Sequence, residues 1–211
     1  MKYDCSDPAQ RAAGIQEARD AVRRGELVVL PTDTVYGIGC DAFTPDAVNR
    51  LLATKGRGRD MPVPVLVGST STLGGILDRV PDSARPLIEN FWPGALTIVV
   101  RHPPSLAWDL GEARGTVAVR MPDNEIAIEL LQGTGPLAVS SANKSGAQPA
   151  TTAEDAEEQL GTAVSVYLDG GQCASQTPST IVDVTSDVPR ILREGAIPAD
   201  RIRELLPTLS G

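Results

Sequence analysis

The chain has 211 residues, 41% of them hydrophobic, so it is long enough to bury the core of one domain. Its formal net charge of −8 argues against a protein that coats nucleic acid, because such proteins carry a basic excess. The cysteines Cys5, Cys40 and Cys173 are odd in number and far apart, and His102 is the one histidine, so neither a disulfide framework nor a structural zinc site is expected.

The first part of the chain predicts a helix, a strand and a second helix, in that order. Apolar residues at helical spacing predict a helix over 8–24, and the apolar run over 27–30 predicts a short buried strand. Thr44, as N-cap, begins a predicted helix over 45–55, and Gly56 ends it.

The rest of the chain continues this alternation of short strands and helices. Thr152 and Asp155 resemble a capping box that opens one helix, and Asp123 is the predicted N-cap of another. The further predicted strands cover 63–67, 96–100, 117–119, 137–140, 164–168, 180–184 and 191–192, and the further predicted helices cover 82–90, 123–131, 152–160 and 199–206.

This order of elements predicts an α/β or α+β fold. Several consecutive strands have no helix between them, so we expect a mixed sheet. No boundary is evident, and a single domain over 1–211 is expected. Loops are predicted over 101–115 and 142–152, and the second is a candidate lid. The chain has no run of 18 apolar residues and no secretory signal, which favours a cytoplasmic protein without a membrane contact.

Small polar and basic clusters accompany apolar strand-like runs at five places in the chain. Their hydroxyl, amide and cationic groups are the donors and charges that hold phosphate oxygens. The common nucleotide-binding fingerprints are absent, since there is neither a P-loop nor a G-x-G-x-x-G turn. The clusters lie at 31–37, 55–57, 117–120, 140–146 and 178–183.

The basic residues each have a structural and a functional interpretation. Lys55 and Arg57 follow a predicted helix, where cations face the helix dipole, or they point into a pocket and clamp phosphates. Arg120 ends an apolar strand and needs an anionic partner if it is buried.

The polar clusters are open to the same two interpretations. Residues 140–143 follow a strand and form either a turn or a set of donors for phosphate or an adenine edge. Thr32, Thr34 and Tyr36 alternate along a predicted extended segment, which would place three hydroxyls on one side of a polar pocket.

Seven short motifs that appear in order closely resemble those of the YrdC-domain family, the L-threonylcarbamoyladenylate synthases of tRNA modification. The resemblance covers about residues 10–205, and the chain is similar to the short bacterial form. The motifs are Pro31–Gly37, Lys55–Arg57, Trp92–Gly94, Val119–Pro122, Ser140–Gly146, Pro178–Asp183 and Leu192–Gly195.

The resemblance implies a twisted mixed sheet flanked by helices, with a deep basic cavity. It also implies an adenylyl-transferring enzyme that makes threonylcarbamoyl-AMP and pyrophosphate from ATP, L-threonine and bicarbonate. A separate tRNA-modifying threonylcarbamoyl transferase complex would then use the product to form threonylcarbamoyladenosine (t6A) next to the anticodon. Mg²⁺ is expected as a cofactor carried by ATP, because no carboxylate cluster predicts a metal site of the protein's own.

The resemblance also assigns roles to individual residues. It implies that Lys55 and Arg57 are catalytic. It implies ATP contacts for Lys55, Arg57, Thr116, Ser141, Asn143 and Arg193. It implies threonine contacts for Thr34, Tyr36, Arg120, Val139 and Ser179, with Arg120 on the threonine carboxylate and Val139 acting through its backbone. Gly58, Met61 and Leu66 depart from the family pattern next to these positions.

Two alternatives remain open at this stage. A double-stranded-RNA-binding module would use a local basic cavity, with RNA contact despite the net negative charge. Carbamoyl adenylation for another acceptor, as in hydrogenase-maturation proteins, would need extra modules for which 211 residues leave no room.

Overall fold

Residues 1–210, which the computed structural model describes, form one ten-stranded sheet and seven α-helices. The strands are β1 (Lys2–Asp4), β2 (Val28–Leu30), β3 (Gly37–Asp41), β4 (Val65–Leu66), β5 (Leu96–Arg101), β6 (Thr116–Arg120), β7 (Leu137–Ser141), β8 (Val166–Asp169), β9 (Thr180–Asp183) and β10 (Arg190–Arg193). The helices are α1 (Pro8–Arg23), α2 (Pro45–Lys55), α3 (Leu73–Ile76), α4 (Ala84–Phe91), α5 (Glu125–Thr134), α6 (Ala153–Leu160) and α7 (Ala199–Arg203).

The sheet is mixed, as its interspersed elements predict. The strand order is β1-β8-β2-β3-β7-β4-β6-β5-β9-β10. Strand β8 pairs in parallel with both β1 and β2, and the pairs β4–β6 and β5–β9 are also parallel, whereas the five remaining pairs are antiparallel. The predicted fold class is confirmed.

Several helix ends form where the sequence predicts them. Helix α2 begins at Pro45 and ends at Gly56, whose φ of 64° is the left-handed conformation that glycine adopts at little cost. The capping box of α6 is present, because the Thr152 hydroxyl accepts from the Asp155 amide and the Asp155 carboxylate accepts from the Thr152 amide.

One predicted helix cap is wrong. The N-cap of α5 is Asn124, whose side chain accepts from the Ala127 amide, and not Asp123. Thr44 is the N-cap residue of α2, as predicted, although its hydroxyl donates to the Asp41 carboxylate at 2.5 Å and makes no capping bond with the helix.

The sequence pattern also misses strand β3, in which two of the five residues are glycine, so that it lacks a hydrophobic alternation. Its glycines are required by close packing of the neighbouring strand β7. A Cβ atom added at Gly37 would lie 2.6 Å from the Val139 side chain, and one added at Gly39 would lie 3.0 Å from it. The two glycines thus leave the space in which the Val139 side chain packs over β3.

Two apolar clusters form the core. The smaller lies between α1, α5 and one face of the sheet, and the larger contains residues of α2, α4, α6 and α7 and includes the alternate residues of β5. Because α1 and α5 cover only part of their face, the rest of that face is available for a cavity. Within residues 1–210, no helix is both long and apolar enough to cross a membrane.

Candidate functional site

A cavity of about 540 Å³ lies over the part of the sheet that α1 and α5 leave uncovered. The alternation of β5 and β6 determines which residues line it. Thr97 and Val99 of β5 face the cavity together with Thr116, Ala118 and Arg120 of β6. The intervening residues of β5 belong to the larger core cluster, so each strand contributes to both sides of the sheet.

Three arginines bring positive charge to this cavity. Arg57 follows α2, Arg120 ends β6 and Arg193 ends β10, and all three line the cavity. Burial lowers the pKa of each guanidinium, and the charges of Arg120 and Arg57 lower that of Arg193 further. An anion in the cavity would relieve both costs, because it would replace lost hydration and offset mutual repulsion.

Much of the remaining lining is apolar. An apolar wall beside three cations suits a ligand that has anionic groups and a less polar portion. The apolar lining includes Val35, Pro62, Val63, Pro64, Leu66, Val99, Leu110, Ala118, Val139, Ile181 and Leu192.

The Arg120 guanidinium is held in one orientation by three groups from two segments of the chain. Its Nε donates to the Gly94 carbonyl at 2.9 Å, and its Nη1 donates to the Thr34 hydroxyl at 2.9 Å. Its Nη2 donates to the Asp33 carboxylate at 2.5 Å, and this buried pair supplies the anionic partner that the sequence calls for. The guanidinium keeps further N–H groups beyond these three for a carboxylate in the cavity.

A second arginine network joins β10, β9 and β5. Arg193 donates to the Ser179 carbonyl through Nε at 3.1 Å and through Nη2 at 2.7 Å. Nη2 also lies 3.2 Å from the Ser179 hydroxyl, which is 2.8 Å from the Thr97 hydroxyl. Ser179 therefore lies between a residue predicted to bind ATP and a buried threonine that the motifs do not include.

The segment 31–36 is a turn, so its predicted extended conformation is wrong. The Thr32 hydroxyl donates to the Val35 carbonyl at 2.7 Å and accepts from the Thr34 amide at 3.1 Å. The turn nevertheless places Thr32, Thr34 and Tyr36 at the cavity, as the clustering of hydroxyls predicts. Local hydroxyl-to-backbone bonds of this kind compete with strand formation.

Tyr36 contributes its ring to the cavity wall, and its hydroxyl is held by the loop after β8. The hydroxyl donates to the Gly171 carbonyl at 2.6 Å and accepts from the Gly170 amide at 3.0 Å. Burial raises the pKa of Tyr36. The ring is therefore fixed as a rigid surface for a ligand.

Arg57 faces the serine segment at the end of β7. Its Nη1 donates to the Ser140 hydroxyl at 3.1 Å, and Ser141 lines the cavity beside it. Its Nε is buried without a hydrogen-bond partner among the described residues. A buried donor without a partner costs free energy, so Arg57 is prepared to gain a bond from an entering ligand.

Lys55 and Asn143 do not line the cavity, and their side chains hydrogen-bond to carbonyls of the loop after β7. The Lys55 ammonium donates to the carbonyls of Ser141 at 2.5 Å and Asn143 at 2.6 Å. The Asn143 Nδ2 donates to two carbonyls of its own loop, at 2.8 Å each, and its Oδ1 is buried without a partner among the described residues. The direct contacts of both residues with ATP stay predictions.

Replacing Lys55 by methionine should destabilise the fold by about 2–4 kcal/mol, because two buried carbonyls lose their donor. Burial lowers the pKa of Lys55 from 10.5 to about 8. Below pH 8 the folded and unfolded chains both carry this proton, whereas between about pH 8 and 10.5 the unfolded chain binds it more tightly. The unfolding free energy of the wild type, relative to Lys55→Met, should therefore rise across that range by at most about 1.4 kcal/mol per pH unit. Urea titrations at pH 7.5 and 9.5 measure this difference, and a difference that falls with pH would contradict it.

The two predicted loops lie at the cavity and are held by side chains from outside it. Leu110 and Ala113 of the first loop and Pro149 of the second line the cavity. Gln159 of α6 hydrogen-bonds to two residues of the second loop. Its Oε1 accepts from the Lys144 amide at 3.2 Å, and its Nε2 donates to the Gln148 carbonyl at 3.0 Å. Movement of this loop as a lid stays a prediction.

The structure thus brings together most of the site that the motifs imply. Thr97 is a polar residue of the cavity that the sequence analysis missed, whereas Thr32 and Ser140 lie in segments that it predicts to line a polar pocket. A threonine facing inward from the apolar strand β5 is the signal that could have identified Thr97. The predicted site residues that line the cavity are Thr34, Tyr36, Arg57, Thr116, Arg120, Val139, Ser141, Ser179 and Arg193.

The fold and the cavity together define a mixed-sheet α/β protein with a cavity on one sheet face that three arginines line. A family model, Sua5_yciO_yrdC, described as "Telomere recombination", matches residues 20–195. This chain therefore belongs to the Sua5/YciO/YrdC family.

Proteins of known sequence and structure agree with this membership. A Mycobacterium tuberculosis protein is 58% identical over 204 residues, which are 97% of this chain and 94% of that one. The Bacillus subtilis threonylcarbamoyl-AMP synthase is 36% identical over 91% of this chain, which spans 56% of that relative. The crystal structure of Pyrococcus abyssi Sua5 complexed with L-threonine is 34% identical with a TM-score of 0.88, over 93% of this chain and 58% of that one.

Proposed function

We propose that this protein is an L-threonylcarbamoyladenylate synthase, which makes threonylcarbamoyl-AMP and pyrophosphate from ATP, L-threonine and bicarbonate. The observation that carries the proposal is the fixed guanidinium of Arg120 in the same cavity as Arg57 and Arg193. One arginine locked by Asp33 suits the carboxylate of an amino acid, and two others suit a chain of phosphates. The activity named for the Bacillus relative and the threonine in the Pyrococcus structure support these assignments.

In the proposed reaction, the threonine amine and bicarbonate first form a carbamate and release water. A carbamate oxygen then attacks the α-phosphorus of ATP, the bond to the β-phosphate oxygen breaks, and pyrophosphate leaves. Such a transfer needs orientation and charge stabilisation more than covalent catalysis. Arg57 and Arg193 would stabilise negative charge on the phosphates, and ATP would bring Mg²⁺ as part of the substrate.

In the proposed complex, different residues of the cavity bind the two substrates. Arg120, Thr34, Tyr36, Val139 and Ser179 would surround threonine, with Arg120 on its carboxylate. ATP would lie toward Arg57, Thr116, Ser141 and Arg193, with Lys55 and Asn143 holding the loop that carries Ser141.

The chemistry of the product sets the next step. A mixed anhydride of a carbamate and AMP is a reactive acyl donor, so we propose that a separate tRNA-modifying transferase complex in the cytoplasm consumes it. Direct RNA contact by this chain remains an alternative hypothesis. Its test is RNA binding measured against salt, since a complex held by phosphate contacts should weaken steeply as salt rises.

The central test is a reconstituted reaction. Purified protein with ATP, Mg²⁺, L-threonine and labelled bicarbonate should release pyrophosphate and form a labelled adenylate in equal amounts. Omission of threonine should stop both. Pyrophosphate release that is as fast without threonine as with it would show that the substrate assignment is wrong.

A further inference from the structure

Thr97 is a buried polar residue in the cavity that the family motifs do not include. It is the second residue of β5, with 3% of its surface exposed, and lies among the apolar residues of that strand. It lines the cavity, and its hydroxyl lies 2.8 Å from the hydroxyl of Ser179 on the adjacent segment. Burial of a hydroxyl is costly unless it is hydrogen-bonded, and the Ser179 hydroxyl is the partner that offsets this cost for Thr97.

The hydrogen-bonding capacity of Ser179 indicates what its bond with Thr97 does. A serine hydroxyl has one hydrogen to donate and two lone pairs that accept. The Arg193 Nη2 donates to the Ser179 oxygen at 3.2 Å, which fills one lone pair. If Thr97 donates to the other lone pair, the Ser179 hydrogen is free to donate into the cavity.

The reverse arrangement would leave the free hydrogen on Thr97 instead. Thr97 is the more deeply buried of the two, with 3% exposed against 7% for Ser179, and so it is the poorer donor to a ligand. Two donors converging on Ser179 therefore make its hydroxyl a directed donor rather than a freely rotating one.

We propose that Thr97 is a positioning residue of the amino-acid subsite, acting through Ser179. It orients the Ser179 hydroxyl as a donor to an acceptor oxygen of the bound amino acid. The inference rests on the proposed function, because it takes threonine as the ligand on this side of the cavity.

The test replaces Thr97 by valine, which has nearly the same shape but no hydroxyl. The KM for threonine should rise by about 5- to 20-fold, as expected for the loss of one oriented hydrogen bond. The KM for ATP and the melting temperature should stay close to those of the wild type. Thr97→Ser should restore the threonine KM, and Thr134→Val, which removes a hydroxyl bonded to backbone carbonyls at the end of α5, should leave both KM values unchanged.

A double-variant cycle shows whether Thr97 acts through Ser179. In a Ser179→Ala background, Thr97→Val should raise the threonine KM no further. Effects that multiply in the double variant, or an unchanged threonine KM in Thr97→Val alone, would overturn the inference. An equal rise in both KM values that Thr97→Ser does not reverse would also overturn it in favour of a general structural role.

The wild-type reaction separates this inference from the proposed function. Wild-type protein without threonine-dependent pyrophosphate release would refute the function itself. An active wild type with an equally active Thr97→Val variant would refute only the role of Thr97.

Discussion

Replacing Arg120 by lysine should raise the KM for threonine by about 10- to 100-fold and change the KM for ATP little. The range corresponds to loss of a charge-assisted hydrogen-bonding pair, which contributes about 1.5–3 kcal/mol. Lysine keeps the positive charge that Asp33 requires, but its single ammonium cannot reproduce the planar fork that bonds Asp33, Thr34 and Gly94. Steady-state rates of pyrophosphate release, with each substrate varied in turn, measure the two constants.

Lysine is chosen over alanine because the ion pair is buried. Removing the cation would leave the Asp33 carboxylate without compensation, which typically costs about 3–5 kcal/mol and would confuse loss of binding with loss of folding. Arg101→Lys, at the exposed end of the neighbouring strand β5, is the matched control and should leave both constants unchanged. A threonine KM for Arg120→Lys equal to that of the wild type would show that the carboxylate binds elsewhere.

Replacing Arg57 by alanine should lower kcat by about 100- to 1000-fold, as removal of one fixed donor to developing negative charge does in other enzymes. The effect on stability should be small, because the groups that Arg57 contacts border the cavity, where water can replace it. Because the Nε of Arg57 is buried without a hydrogen-bond partner, its removal should also remove a small unfavourable contribution to the stability of the fold. Single-turnover formation of the adenylate at saturating ATP and threonine isolates this step from binding.

Arg59→Ala is the matched control, since it removes the same charge only two residues away. The Arg59 side chain lies outside the cavity lining and pairs with Asp109 in an exposed ion pair, which is worth about 0.2–1 kcal/mol. Its kcat should stay within about twofold of the wild type. If both variants lose activity equally, the basic segment acts through its overall charge and Arg57 has no specific role.

Helices and strands were predicted correctly where several residues along a segment indicate the same element. Helix α2 combines an apolar stripe, Pro45 at its start and Gly56 at its end, and it forms over the predicted residues. Strand β3 carries no such signal, because its glycines are selected by the approach of Val139 from another strand. Likewise the capping oxygen of α5 comes from Asn124, one residue after Asp123, since local geometry and not residue type chooses between two neighbouring caps.

Some features of the candidate site were likewise predictable from the sequence, and others were not. The family resemblance identified nine residues that share one cavity, and the anionic partner expected for Arg120 is present as Asp33. The motifs could not show that the Lys55 ammonium is turned away from the cavity toward two carbonyls, because that depends on where the loop after β7 lies. Nor could they identify Thr97, whose only sequence signal is one hydroxyl in an apolar strand.

The sequence by itself determined the local elements of this protein, namely short apolar strands, capped helices and cations at strand ends. Local patterns, and motifs that follow one another in a fixed order, specify these elements. Only the tertiary structure decided which strands are neighbours, and so which polar groups meet. Strands β5, β6 and β9 lie side by side, although Leu96 of β5 and its partner Thr180 of β9 are 84 residues apart in the chain, and α1 and α5 do not cover them. The cavity exists because pairing between distant segments assembles one sheet face larger than its helices can cover, and no local signal in the chain encodes that difference in area.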